Sequence, residues 1–227
     1  MKYFIKFITL AAINFSTAAS TPPNITETFE WPEAQPNAIP DLRLSSITSE
    51  ARSQAREALT RARDAQRATG QAHRRQALKG SMGLGAKPII VDDETIMTAD
   101  EVKSGVNSYL IGTISYPNGA SMEGIFGPDI GTYKPSPDSP LESFQGWIYG
   151  STTSNPIPMI GVFQFKNGES FVGSYNAGNN AIGIYYSPDK SIKFVGEMDL
   201  QSATRTPLRG TLEKGNREVI SNISKGR

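Results

Sequence analysis

The groups able to move protons or hold ions are few in this sequence, and they are scattered. His73 is the sole histidine in 227 residues, and there is no cysteine. Metal ligation by imidazole or thiolate needs several such groups at suitable spacing, which one histidine in an arginine-rich stretch does not supply. The densest carboxylates are Asp92-Asp93-Glu94 and Asp100-Glu101. A calcium loop sets oxygen ligands at regular positions around a glycine turn, and these runs lack that order. Hydrolysis by paired carboxylates needs two of them facing one cleft; Glu123, Glu142, Glu169, Glu197 and Asp199 are scattered through the repeats, and the sequence alone does not exclude a pair among them. Ser170 and Ser174 have no histidine to take their protons. The glycine-rich GSMGLGAKP at 80–88 has neither GxGxxG spacing nor a GK[ST] ending, and no strand precedes it. The expectation is a non-enzymatic chain with no catalytic residue, no metal and no cofactor.

With chemistry set aside, the elements that carry these residues become the question. The start, MKYFIKFITLAAINFSTAAS, has Lys2 and Lys6 before an apolar run and then small residues. That layout predicts a secretory signal peptide over 1–20, removed on export, with no transmembrane anchor left afterwards. Cleavage takes both lysines, so 23 basic residues become 21 against 22 acidic ones. A near-neutral exported protein has no general attraction to nucleic acid. The absence of cysteine also excludes disulfides and a lipid-modified cysteine.

Residues 21–43 hold clustered prolines and no periodic face, which reads as a flexible arm with Phe29 and Trp31 as docking points. Residues 44–79 are dominated by Ala and Arg, both good helix formers. Ala51, Ala55, Ala58, Ala62 and Ala65 alternate spacings of four and three, a stripe of small side chains on one helical face. Arg52, Arg56, Arg63 and Arg67 follow the same rhythm on another face. The alanine stripe offers little apolar area, so this helix needs a neighbour: a second copy in a coiled coil, the open edge of the repeat sheet, or another partner. The arginines read either as a solvated face or as a contact with an anionic partner. Residues 80–106 read as a glycine-rich linker with an acidic segment.

From residue 107 a pattern recurs: GTISYPNGASMEGIF, then GVFQFKNGESFVGSY, then the looser GIYYSPDKSIKFVGEM. A large apolar residue, any residue, then glycine occurs at Met122-Gly124, Phe144-Gly146, Phe171-Gly173 and Phe194-Gly196. Four matches near one period argue for a repeat. Asn118-Gly119 and Asn167-Gly168 flanked by alternating apolar residues predict β-hairpins. A three-residue loop with a bulge would set Phe165 opposite Phe171 and Phe163 opposite Gly173. By the same count Tyr116 would face Met122, and Ile114 would face Gly124. The glycines then serve close approach by an aromatic ring.

These residues resemble the MORN repeat, with its aromatic-x-Gly start and a second glycine further on. Phe171-Val172-Gly173-Ser174-Tyr175 matches a start, with Gly183 at the second glycine. Phe194-Val195-Gly196 matches the next start, with Gly210 as a displaced partner. Met122-Glu123-Gly124 and Phe144-Gln145-Gly146 match earlier starts, with Gly161 following a long insert and Gly112 opening the series. Met122 in place of an aromatic, SPDK in place of Asn-Gly and the insert at 151–158 depart from the pattern. The resemblance covers about half of the chain and implies an elongated antiparallel sheet of successive hairpins. It also implies a scaffold or dimerisation role, with no catalytic set to carry over.

The expected architecture is therefore mainly β: a hairpin-repeat domain over 107–215 behind a long Ala/Arg-rich helix, and a C-terminal tail at 216–227. The expected function is a protein-interaction or scaffold module of the cell envelope, periplasmic or extracellular, with a protein partner or self-association. The interaction residues would be Arg52, Arg56, Arg63, Arg67, Trp147 and Tyr149. The alternative is a protein that binds or processes glycan or wall polymer through the aromatic face of the sheet. Trp147, Tyr149, Phe163, Phe165, Phe171 and Tyr175 serve either as core or as a stacking platform.

Overall fold

The repeated glycines and large apolar residues fall into two straight rows across one sheet. A computed structural model describes residues 42–82, 88–91, 95–104, 107–175, 180–200, 205–214 and 222–224. The expected signal peptide, most of the proline-rich arm with Phe29 and Trp31, the Asp92-Asp93-Glu94 run and most of the glycine-rich linker lie outside them. Among the described residues one helix, α1 (Leu42–Ser81), is followed by twelve strands. They are β1 (Pro88–Ile90), β2 (Ile96–Ser104), β3 (Asn107–Ser115), β4 (Ser121–Phe126), β5 (Ile130–Lys134), β6 (Leu141–Tyr149), β7 (Ile157–Phe165), β8 (Ser170–Tyr175), β9 (Asn180–Tyr186), β10 (Ile192–Asp199), β11 (Thr206–Lys214) and β12 (Asn222–Ser224). Each strand pairs with the next in sequence, antiparallel, so the sheet is an unbroken meander. It begins earlier than the glycine rhythm indicates, because β1 and β2 fall within 80–106, and it ends later, because β12 falls within 216–227.

Cross-strand register makes the rows explicit. Gly112, Gly124, Gly131, Gly146, Gly161, Gly173, Gly183, Gly196 and Gly210 face one another from β3 to β11. Beside them on the same face run Ile114, Met122, Tyr133, Phe144, Phe163, Phe171, Tyr185, Phe194 and Leu212. Because neighbouring strands run oppositely, the order alternates: Gly-x-apolar on odd strands, apolar-x-Gly on even ones.

This corrects the expected register by two residues. Phe163 pairs with Phe171 rather than Gly173, Gly161 takes the place opposite Gly173, and Ile114 pairs with Met122. The three-residue loops are present, but the ladder closes tightly around them. Phe165 N donates to Glu169 O, and Tyr116 N donates to Ala120 O. Gly119 and Gly168 sit at φ 79° and 86°, the left-handed conformation that ends such a loop. The Asn118 and Asn167 side chains accept from the backbone N–H two residues on. In the turn after β9, Lys190 adopts φ 60° without being glycine. Asp189 braces that turn by accepting from Ser187 Oγ and Ser191 N, and these bonds hold its carboxyl at about 2.

With glycine against glycine, the rings have bare backbone to lie on. A β-carbon at Gly146 or Gly161 would come within 2.8 Å of Phe144 Cζ, and one at Gly183 within 2.8 Å of Phe171 Cζ. Phe163 packs between Phe144 and Phe171, its ring centroid 4.6 and 5.8 Å from theirs. Phe144, Phe171 and Phe194 are fully buried. At one border of this face Tyr116 stacks edge-on to Tyr133 and donates at 2.6 Å to the carbonyl of Ser151. The insert after β6 is tied there, since Ser151 Oγ also donates to Asp129. Burial and the neighbouring Tyr133 and Asp129 push the Tyr116 hydroxyl well above the usual tyrosine range. Elsewhere on the face Arg205 lies over the Phe165 ring at 4.2 Å and pairs with Glu169.

The opposite face carries α1, which crosses β3 to β11. From Arg52, paired with Glu213 on β11, to Lys79, paired with Asp100 on β2, the helix advances about 40 Å at 1.5 Å per residue. Nine strand steps of about 4.8 Å cover about 43 Å. The helix is thus matched in length to the sheet it lies on. Ala51, Ala55, Ala58, Ala62, Ala65, Ala68 and Ala72 are all buried, because only small side chains let a helix approach so near a sheet. The alanine stripe is therefore seated across the face of this chain's own sheet, rather than on its open edge or on a second helix in a coiled coil. A β-carbon added at Gly70 would meet nothing within 4 Å, so Gly70→Ala is expected to stabilise the protein by about 0.5–1 kcal/mol. Thermal melting of the variant checks this; an unchanged or lowered midpoint would count against it.

Candidate interaction surface

Among the described residues, the seam under α1 brings together polar contacts from the helix to several strands. Its floor is the strand row Thr113, Glu123, Thr132, Gln145, Val162, Val172, Ile184 and Val195. The half beneath the N-terminal part of α1 is apolar: Ala55 and Ala58 meet Val172, with Ile160, Val162, Ile184 and Tyr186 around them. The other half is polar. Gln66 Nε2 donates to Gln145 Oε1 at 3.2 Å, and Gln76 Nε2 donates to Thr113 Oγ1 at 2.8 Å. Thr69 Oγ1 donates to the carbonyl of Glu123 at 3.1 Å, so its 2.9 Å contact with Thr132 is one in which Thr132 donates.

Glu123 is the most perturbed carboxylate of this seam. Its Oε2 is 2.7 Å from His73 Nε2, while its buried Oε1 has no hydrogen-bond partner among the described residues. Desolvation raises its pKa above the ordinary 4.5, and His73 and Lys134 offset this only in part. A raised carboxylate pKa means the folded state holds the proton more tightly than the unfolded one. Its contribution therefore favours folding below the unfolded value and is lost as pH rises through the folded value. Glu123→Gln removes that loss, so the variant's melting midpoint should gain on the parent's as pH rises above the ordinary 4.5. A constant difference as pH rises would contradict the assignment.

The other carboxylates singled out in the sequence are spread over the sheet, with Glu197 and Asp199 together on β10 beside Asn180. Glu169 pairs with Arg205, Glu197 accepts from Asn180 Nδ2 at 2.5 Å, and Glu142 is exposed. Glu123 on β4 and Glu197 on β10 are six strand steps apart, about 29 Å. Among the described residues no group of three or more His, Asp or Glu could hold a metal ion.

One pairing was not legible in the sequence. Lys190 Nζ donates to the buried Ser170 Oγ at 3.1 Å, in a cleft of about 360 Å3 that Tyr186, Lys193 and Glu213 also line. Serine–lysine catalysis needs a desolvated, neutral lysine as base, and Lys190 is exposed, 5.8 Å from the centre of the Tyr186 ring. A second cleft of about 240 Å3 lies under the end of α1, between Arg75, Lys79, Asp100 and Gly112. A third, about 430 Å3, opens beside the aromatic row between Pro140, Leu141, Pro158, Phe165 and Leu200.

Of the residues expected to make contacts, the arginines are outermost. Arg56 and Arg63 are exposed, Arg67 is exposed with Asp64 3.4 Å away, and Arg52 is half-exposed beside Glu213 at 3.5 Å. Trp147 is partly covered on the helix side of β6, between Ile130 and Ile160. Tyr149, beyond a bulge at Trp147/Ile148, is 61% exposed. These two aromatics do not form one open platform, and Phe144, Phe163, Phe165 and Phe171 are core. No described helix is long and apolar enough to cross a membrane. The chain matches no family model, no curated protein and no solved structure.

Proposed function

We propose that this chain is an exported, MORN-like repeat protein that acts without catalysis, as a protein-interaction or scaffold module of the cell envelope. The observation that carries the reading is how the repeat spends its distinctive residues. Its paired glycines, with Phe144, Phe163, Phe171 and Phe194, are used up in the two buried rows, and α1 crosses the other face from β3 to β11. What is left for contact is an outer surface of charged and polar groups with some exposed apolar side chains, Leu59, Leu78 and Tyr149 among them. Burial of the phenylalanines also weighs against the alternative, a stacking platform for glycan or wall polymer. The test is chemical cross-linking in the envelope fraction, with light scattering of the purified protein. A recurring protein partner or a stable oligomer supports the scaffold reading. A monomer with no cross-linked protein, retained on wall polymer through Trp147, overturns it.

A further inference from the structure

The outward side of α1 has a composition that neither the sheet nor the scaffold reading requires. At 100° per residue, Arg52, Arg56, Arg63, Arg67 and Arg74 fall within a sector of about 60°, on the side of the helix away from the buried alanines. They extend over about 33 Å of a straight helix. Widening the sector to about 60° on either side of Arg56 adds Leu59, Leu78 and small or uncharged polar residues, but no carboxylate. Glu50, Glu57 and Asp64 all lie on one flank, where Glu57 pairs with Arg61 at 3.3 Å and Asp64 with Arg67. Among the described residues, Arg56, Arg63 and Arg74 make no ion pair. Leu59 and Leu78 are 45% and 58% exposed, large apolar side chains standing beside the arginines rather than under them.

We infer that this crest is a docking site for an anionic lipid surface, on which the protein lies with α1 downward. Charge complementarity supplies the attraction, since basic side chains near an anionic bilayer each add favourable electrostatic energy. Shape supports a plane over a wrapped polymer: guanidiniums in one line on a rigid rod reach a flat surface together. The exposed leucines choose lipid over a soluble polyanion, because headgroups offer them an acyl boundary and a polyphosphate does not. This differs from insertion of α1 itself, whose apolar stripe is already seated on the sheet. The inference goes beyond the scaffold reading and does not rest on it.

The test is co-sedimentation of residues 21–227, which include the whole compact unit Glu33–Arg227 but not the apolar start. Vesicles of phosphatidylcholine alone are compared with vesicles containing about 30% phosphatidylglycerol at about 0.1 M salt. Binding to the anionic vesicles is expected to be roughly tenfold or more tighter than to the neutral ones, and to weaken as salt rises. The variant R56Q/R63Q/R67Q/R74Q should lose most of this binding at an unchanged melting midpoint. Should four changes disturb folding, R56E/R63E gives the same reading from two residues that make no ion pair among the described residues. Replacing Leu59 and Leu78 by serine should lower retention most at the higher salt. Equal binding to both vesicles, binding to neither, or unaltered binding by the arginine variants would each overturn the inference. So would binding to soluble polyphosphate with none to vesicles.

Discussion

Phe171→Ala is expected to cost about 4 kcal/mol of folding stability, the upper part of the range for deleting a buried phenyl ring. Phe171 touches only protein: it is 0% accessible, lies over Gly173 and Gly183, and packs against Phe163. The site is poor at collapsing after truncation, because the floor beneath the ring is glycine backbone with no side chain to swing into the void. Urea denaturation of parent and variant gives the difference directly. A loss below about 1 kcal/mol would mean that the ring is replaceable and the row does not act as a core.

Gly173→Ala tests the same contact from below, with an expected cost of about 3 kcal/mol from overpacking. The new β-carbon would stand 2.3 Å from the carbonyl oxygen of Ile182, 2.7 Å from Gly183 Cα and 2.9 Å from Phe171 Cζ. Only the ring can yield, whereas the first two contacts are backbone of a paired strand. Combining Gly173→Ala with Phe171→Leu should therefore recover little of the loss. Full recovery would show the ring, and not the neighbouring strand, to be the obstacle; denaturation midpoints of the two single variants and the double variant decide it.

Much of this arrangement was legible in the sequence, with informative failures. The alternating alanine spacing gives the helix and the face it buries, because that period follows from 3.6 residues per turn. It does not give the neighbour, since a stripe of small side chains suits a second helix as well as a sheet. The apolar-x-Gly motif marks β4, β6, β8 and β10. Its reverse, as in Gly131-Thr132-Tyr133 and Gly161-Val162-Phe163, escapes a search for that motif. Antiparallel neighbours must carry the two orders in turn, and pairing them sets glycine against glycine. That rule alone yields the observed register, where counting loop residues misses by two. Strand β2 is hidden because its Asp100 reads as linker, and its partner Lys79 lies across a turn of the chain. The contact residues are the least legible: the arginine rhythm is visible, but whether those side chains face protein or water depends on where the alanines are seated.

The match between α1 and the sheet makes the helix a ruler. One helical turn of about 5.4 Å is marked against one strand interval of about 4.8 Å, like the two scales of a vernier that drift slowly apart. A hairpin added to the meander would widen the sheet by about 9.6 Å, and about six or seven more helical residues would be needed to keep it covered. The number of hairpins and the length of the helix are therefore not independent quantities. A duplication in the strand region alone would leave bare sheet beyond the end of the scale.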